Sequence, residues 1–250
     1  GALFDGHDLA EQAIKSGISL LFVEEYLPKF EVPQIIVRNS RKALAKLAQL
    51  YYNDPTSKFF LIGVTGTNGK TSIVTSIESI LQKNGFKVGS IGTLGYRINN
   101  VQFNTDRTTP DITELNEIFS EMVNQEVQYV VMEVSSHSLK LDRVYGLHFD
   151  VGIFTNLSRD HLDFHADMED YYLSKKILFT TIAKKNGIAL INTDDSYGKR
   201  LYDEIAMRKI AVSGLIEQSK FADVRYEVVN STLIESVIRL SFKETLQRYK

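Results

Sequence analysis

Between residues 59 and 214 the chain carries six short runs of apolar, largely β-branched residues: FFLIGV (59–64), KVGSIG (87–92), YVVMEV (129–134), VGIFT (151–155), GIALIN (187–192) and KIAVSG (209–214). Runs this short and continuous, without polar alternation, read as strands buried on both faces. Between several of them the apolar positions change to helical spacing, over Lys70–Lys83, Ile112–Asn124 and 169–183. Strands separated by helices predict an α/β fold, a mostly parallel sheet with helices on both faces. DVRYEVVN and IESVIRLSF differ, alternating polar and apolar residues as antiparallel strands at a sheet edge do.

The first fifty or so residues are patterned on a smaller scale. HDLAEQAIKSG and SRKALAKLAQLYY have helical spacing, ISLLFVE and PQIIVR are strand-like, and Ser40 is the expected N-cap of the second helix. NDPTSK (53–58) then concentrates turn and helix-breaking residues. A boundary there divides the chain into a small α/β unit over 1–54 and a larger one over 55–250.

Composition narrows the function classes. Hydrophobic residues make up 43% and charged residues 24%, with a formal net charge of −2. That balance argues against a nucleic-acid partner gripped through phosphate neutralisation. No apolar run approaches the ~20 residues of a membrane-spanning helix, so no membrane partner is expected. The absence of cysteine excludes disulfides, thiolate metal sites and a cysteine nucleophile.

The densest chemistry lies in GVTGTNGKTS (63–72), between the apolar FFLI and the helical IVTSIESILQ. A strand, a glycine loop and a helix N-terminus together form a phosphate cradle. Gly66 and Gly69 let the backbone approach, Lys70 adds a point charge, Thr71 offers a hydroxyl to Mg²⁺, and Thr67, Asn68 and Ser72 complete the loop. The usual spacing requires glycine at position 64, where this chain has Val64; Gly63 stands one residue early. The bland alternative is a glycine-rich turn with an incidental Gly-Lys-Thr.

Other candidates sit at strand ends. Glu133 closes an apolar strand, where ligands of open α/β sheets bind, and is placed to hold Mg²⁺ unless it merely faces water. FTNLSRDHLDFHADMEDYYLSKKILF (154–179) carries His161 and His165, spaced like a zinc pair but in a loop and without the His-Glu-x-x-His pattern, and then Lys175, read alone as a surface lysine beside Lys176. Thr108, Thr109 and Pro110 precede a helix for which Asp111 is a possible N-cap; Ser135 and Arg143 follow Glu133. Each could equally serve capping or surface ion pairing. In INTDDSYG, Asn192 and Asp195 are candidates for the adenine or ribose, with turn and cap roles open for Asp194 and Asp195.

TGTNGKT with valine before it resembles the ATP loop of the Mur ligases and their relative folylpolyglutamate synthetase, which do not require the first glycine. EVSSHSL, RV, FTNLSRDHLDFH, DMEDY and INTDDSYGKRL, in this order over about 140 residues, resemble the UDP-N-acetylmuramoyl-tripeptide synthetase branch. The resemblance implies a Mur ligase central, ATP-binding domain over 55–250 and part of an N-terminal UDP-substrate-binding domain over 1–54. It implies Thr71, Glu133, His161 and Lys175 around two Mg²⁺ ions, with Lys175 carbamylated to N6-carboxylysine, and Lys70, Lys175 and His161 as catalytic residues. Thr108, Thr109, Ser135 and Arg143 would hold the muramoyl-peptide substrate.

The implied activity is ATP-dependent, amide-forming ligation. L-lysine or meso-diaminopimelate would join UDP-N-acetylmuramoyl-L-alanyl-D-glutamate through an acyl phosphate, in a monomeric cytoplasmic protein of peptidoglycan synthesis. The chain departs from the branch in a shortened GALFDGHD, with Leu9 for the usual aromatic, and in lacking the C-terminal amino-acid-binding domain. A folylpolyglutamate synthetase and a non-catalytic ATP-binding fragment are the competing expectations.

Overall fold

The computed structural model describes residues 5–215, 222–231 and 236–243. The GALF segment, the first two residues of IESVIRLSF and residues 244–250 of the expected larger unit lie outside them.

The small unit holds a 3-10 turn (Gly6–Leu9), α1 (Ala10–Lys15), the parallel pair β1 (Leu21–Val23) and β2 (Gln34–Ile36), and α2 (Ser40–Tyr51). Asn39, not Ser40, caps α2. Asn39 is extended and its side chain accepts from Lys42 N, whereas Ser40 is already helical and gives both its N–H and its hydroxyl to Glu24. The chain leaves α2 through Asn53 and Asp54, both left-handed (φ 58° and 45°), into the 3-10 turn Pro55–Ser57.

The rest builds one ten-stranded sheet. In chain order its elements are β3 (Phe60–Thr65), α3 (Lys70–Lys83), β4 (Val88–Gly92), β5 (Gly95–Ile98), β6 (Val101–Phe103), α4 (Ile112–Asn124), β7 (Tyr129–Glu133), α5 (Ser136–Lys140) and β8 (Phe149–Phe154). Then follow α6 (Met168–Thr180), β9 (Ala183–Asn192), α7 (Ser196–Glu204), β10 (Arg208–Ser213), β11 (Val224–Ser231) and β12 (Ser236–Phe242). The order across the sheet is β12-β11-β10-β9-β8-β3-β7-β4-β5-β6. Neighbours from β11 to β4 are parallel, and β12, β5 and β6 add antiparallel edges.

The continuous apolar strands lie at the centre as expected, and the two alternating segments pair antiparallel at one edge. Two differences are informative. The expected helix over 169–183 ends at Thr180, and Ala183 already opens β9, pairing with Phe149 before a register shift carries the strand over polar residues to Ile188. The hairpin β5–β6 is absent from the sequence expectations, although Asn99-Asn100 signals its two-residue turn: both residues have positive φ (47° and 77°), as that turn type demands.

One face of the sheet buries Leu61, Val130, Met132 and Phe149 with Leu115, Phe119 and Met122 of α4; the other buries Ile62, Val64 and Val131 under Val74 of α3. β3 lies between β7 and β8, which follow it by more than sixty residues. The order reverses there, and a crevice opens beyond the carboxyl ends of the strands.

Candidate active site

The loop after β3 enters that crevice. Gly63 is a strand residue, not a loop residue: a Cβ there would stand 2.6 Å from the Phe149 ring, so its glycine serves core packing. Gly66 (φ 149°) is the position of close approach, and a Cβ on it would lie 1.9 Å from Thr155 Oγ1. Gly69, left-handed at φ 85°, starts α3. Lys70 folds back over the loop, its Nζ donating to Gly66 O (3.0 Å) and Thr67 O (2.9 Å). Burial lowers its pKa, and Glu133 and Asp160 oppose that shift. The first-turn amides of α3, from Lys70 to Ser72, have no intrahelical acceptor and present positive dipole ends to the crevice.

Glu133 does not face water; it is 1% exposed at the end of β7. Its carboxylate accepts from Thr71 Oγ1 (2.8 Å), Thr93 N (2.9 Å) and Thr93 Oγ1 (3.2 Å). Among the described residues no ion pair neutralises it within 4.0 Å. A buried carboxylate served only by neutral donors, against the Thr71 hydroxyl, is a hard-oxygen donor set suited to Mg²⁺. Among the described residues no three His, Asp or Glu side chains gather as a metal cage. That agrees with Mg²⁺ sites, which take one or two carboxylates and leave the remaining positions to water and phosphate.

Lys175 is no surface lysine. It is 1% exposed on the inner face of α6, while its neighbour Lys176 reaches Glu204 at 2.7 Å. Its Nζ donates to Gly66 O (2.8 Å) and lies 4.5 Å from the centre of the Tyr171 ring. Burial drives its pKa well below the usual lysine value, and the nearby Lys70 charge lowers it further. A neutral amine is the form that CO₂ can carbamylate.

His161 and His165 bracket a tight turn. His161 holds a left-handed backbone (φ 53°), sparsely populated for a residue with a side chain, and its carbonyl accepts from His165 N (2.9 Å). His165 is buried between Ser136 Oγ (2.9 Å) and Asp170 Oδ2 (3.2 Å), so it braces α5 against α6 and does not pair with His161 as a zinc ligand. The His161 ring packs edge-on to His137 (5.0 Å) and Tyr171 (5.9 Å). Thr71 and Glu133 thus touch each other, while Lys175 bonds Gly66 O and both Lys175 and His161 pack against the Tyr171 ring.

The remaining expected residues all have partners within the protein. Thr109 is buried, donating to Glu133 O (2.9 Å) and accepting from Ser135 N (3.2 Å); Thr108 pairs with Thr93 (3.2 Å). Ser135 caps α5, accepting from Ser138 N. Arg143 Nε reaches Asp111 at 2.9 Å, and Arg107 approaches the same carboxylate; Asp111 occupies the N-cap position of α4 without its side chain capping the helix. Asn192 Nδ2 donates to Thr155 O (2.8 Å). Asp195 accepts from Gly198 N, as cap of α7, and from Leu157 N. Here both residues support the loop after β8, with Asp195 also in the cap role left open for it.

Three further residues stand at the crevice that the sequence reading did not single out. Thr93 supports Glu133, Tyr171 meets Thr67 Oγ1 (3.2 Å), and Asn156 meets the phosphate loop. Each contact joins segments distant in sequence; Asn156 and Tyr171 fall within FTNLSRDHLDFH and DMEDY, but nothing in those stretches names their partners.

Comparison with known proteins agrees with this arrangement. Residues 64–247 match the Mur ligase middle domain. The chain is 47% identical, over 231 residues, to a UDP-N-acetylmuramoyl-L-alanyl-D-glutamate–2,6-diaminopimelate ligase of Clostridium tetani, covering 90% of this chain and 46% of that protein. A solved structure of a ligase of the same name superposes with a TM-score of 0.79 at 24% identity, covering 93% of this chain and 47% of that one. A MurF ligase from Thermotoga maritima, solved with ADP, superposes with a TM-score of 0.54 at 20% identity, covering 96% of this chain and 51% of that one. The chain spans about half the length of the relatives it matches. With the glycine loop at the sheet's switch point, the buried Glu133 and Lys175 beside it, and most of the chain matched to the middle domain, the chain belongs to the Mur ligase family.

Proposed function

We propose that this chain is the ATP-binding part of a cytoplasmic ligase of peptidoglycan synthesis, one that adds an amino acid to UDP-N-acetylmuramoyl-L-alanyl-D-glutamate. The observation that carries the reading is the convergence of the phosphate loop, the Thr71–Glu133 pair and the buried Lys175 on Gly66 and its neighbours. The relatives' name supports 2,6-diaminopimelate as the added amino acid, and the ADP of the Thermotoga maritima structure supports ATP as the nucleotide.

The γ-phosphoryl group passes from ATP to the free glutamyl carboxylate, giving ADP and an acyl phosphate. The amine of the incoming amino acid attacks the acyl carbon, phosphate leaves, and the amide forms. Lys70 and the first-turn amides of α3 hold the phosphates in line, so positioning and electrostatics supply most of the rate. Thr71, Glu133, His161 and carbamylated Lys175 would hold Mg²⁺, which supplies charge neutralisation at the phosphates. Arg143, once released from Asp111, has the planar fork for a substrate carboxylate or phosphate. Thr108, Thr109 and Ser135 would line the same approach, and Asn192 and Asp195, which brace the loop after β8, would lie near the adenine or ribose.

The test is phosphate release from ATP by the protein at its native length, with the UDP-muramoyl dipeptide and single amino acids. Release requiring both the dipeptide and 2,6-diaminopimelate is expected. Release with lysine alone would change the amino acid, and release with folate and glutamate instead would move the protein to the folylpolyglutamate branch.

A further inference from the structure

The phosphate loop does not hold its own shape. Thr67 and Asn68 have peptide groups that point away from the crevice, towards the loop that follows β8. Asn156 receives both. Its carbonyl accepts from Thr67 N (2.9 Å), its Oδ1 accepts from Asn68 N (3.0 Å), and its Nδ2 donates back to Asn68 O (3.2 Å). The side-chain amide thus pairs with the Asn68 residue as a neighbouring strand would, using one donor and one acceptor. Thr155 Oγ1 adds a bond to Asn68 O (2.7 Å), and Ser158 N one to Thr67 Oγ1 (3.0 Å).

Two consequences follow for the loop amides. Those of Thr67 and Asn68 are occupied by protein, so phosphate recognition falls to Lys70, Thr71 and Ser72 at the start of α3. The peptide just upstream of those amides lies between Asn68 and Gly69, and Gly69 at φ 85° has no side chain to restrain it. Asn156 clamps the last residue before that unrestrained glycine.

We infer that Asn156 is a positioning residue for nucleotide binding: its side-chain amide clamps Asn68 and thereby aims the first-turn amides of α3 at the phosphates. Asn156 acts through the loop and touches no reacting group. The inference rests on reading this crevice as a nucleotide site, but the clamp itself can be read without nucleotide.

The experiment uses the protein at its native length with Asn156→Ala and the nearly isosteric Asn156→Asp. Asn156→Asp keeps the acceptor for Asn68 N but sets a carboxylate oxygen against Asn68 O. Amide hydrogen exchange over residues 65–69, without ligand, should quicken at least about tenfold in Asn156→Ala, which removes the acceptor of Asn68 N, and less in Asn156→Asp, which keeps it. A fluorescent ADP should bind roughly tenfold more weakly to each, the equivalent of one or two neutral hydrogen bonds, while the unfolding midpoint without nucleotide moves by only a few degrees. Exchange at wild-type rates in Asn156→Ala would overturn the clamp whatever the nucleotide does. Faster exchange with ADP affinity within twofold of wild type would overturn its role in aiming the amides. A wild-type protein that binds no ADP would remove the nucleotide reading, and with it this positioning role, leaving the exchange result as a statement about loop structure.

Discussion

The carboxyl end of β3 and the hairpin of β11 and β12 belong to one sheet and are built on opposite terms. At β3, polar groups are buried and nearly all are answered: Glu133 by three threonine donors, Lys175 by a carbonyl, Asn156 by a peptide. At the hairpin, apolar groups are left in the open. Val228, Ile238, Leu240 and Phe242 are each just over half exposed on one face, while Glu227 and Arg239 pair across the other at 2.7 Å. Burying a charge is tolerable only with partners, and the site keeps two groups, Glu133 and Lys175, whose partners are neutral. The strain in the first region is electrostatic and local. The second carries ordinary exposed hydrophobic area, with nothing resting on any one side chain.

The sharpest way to break that contrast is at the loop. Lys70→Ala should lower turnover roughly 10³-fold, as removing a preorganised charge from a transferring phosphoryl group does; near-normal turnover would show that the buried polar groups are structural. Glu133→Gln keeps the shape and an acceptor for Thr71 Oγ1 and Thr93 N but removes the charge. The Mg²⁺ concentration giving half-maximal phosphate release should rise at least about tenfold, and an unchanged Mg²⁺ requirement would dissociate Glu133 from the cation.

A third test reads the electrostatic strain as stability. The folded-state pKa of Lys175 is depressed by burial. Between that value and the unfolded value of about 10.4 the unfolded chain binds the extra proton, so stability rises with pH across the window. Lys175→Met removes the titration, and Gly66 O keeps Lys70 as a donor. In CO₂-free buffer the variant should be more stable than wild type at pH 7, by about 1 kcal/mol for each unit of depression, and the advantage should shrink as pH approaches 10. A difference that does not vary with pH would mean that Lys175 is not held neutral.

The smallest effect belongs to the hairpin. Val228→Thr should change unfolding free energy by less than about 0.5 kcal/mol. A larger loss would show that single side chains matter on this face as they do at the site.

What could be read in advance follows from the range of each interaction. The central strands were legible because burial on both faces writes itself into consecutive apolar residues. The start of β9 was not, since Ala183 pairs through backbone with Phe149 and the polar residues after it fall in the register shift before Ile188. Lys70 and Thr71 were legible because a phosphate cradle needs a local sequence. Lys175 was placed by resemblance alone, and nothing near Lys175-Lys176 says which lysine turns inward; the Gly66 carbonyl, more than a hundred residues earlier, decides that. Ser40 and Asn39 both suit the role of a helix cap by residue type, and only the extended backbone of Asn39 separates them.

The strand order has a consequence in time. During synthesis the glycine loop leaves the ribosome before either strand that flanks β3. Glu133 comes next, then Asn156, then Lys175, and last Asn192 and Asp195, which brace the loop carrying Asn156. Chains emerge at about 5–20 residues per second, so the loop waits on the order of ten seconds for its final supports. A nucleotide arriving earlier meets a loop whose clamp is still unsupported.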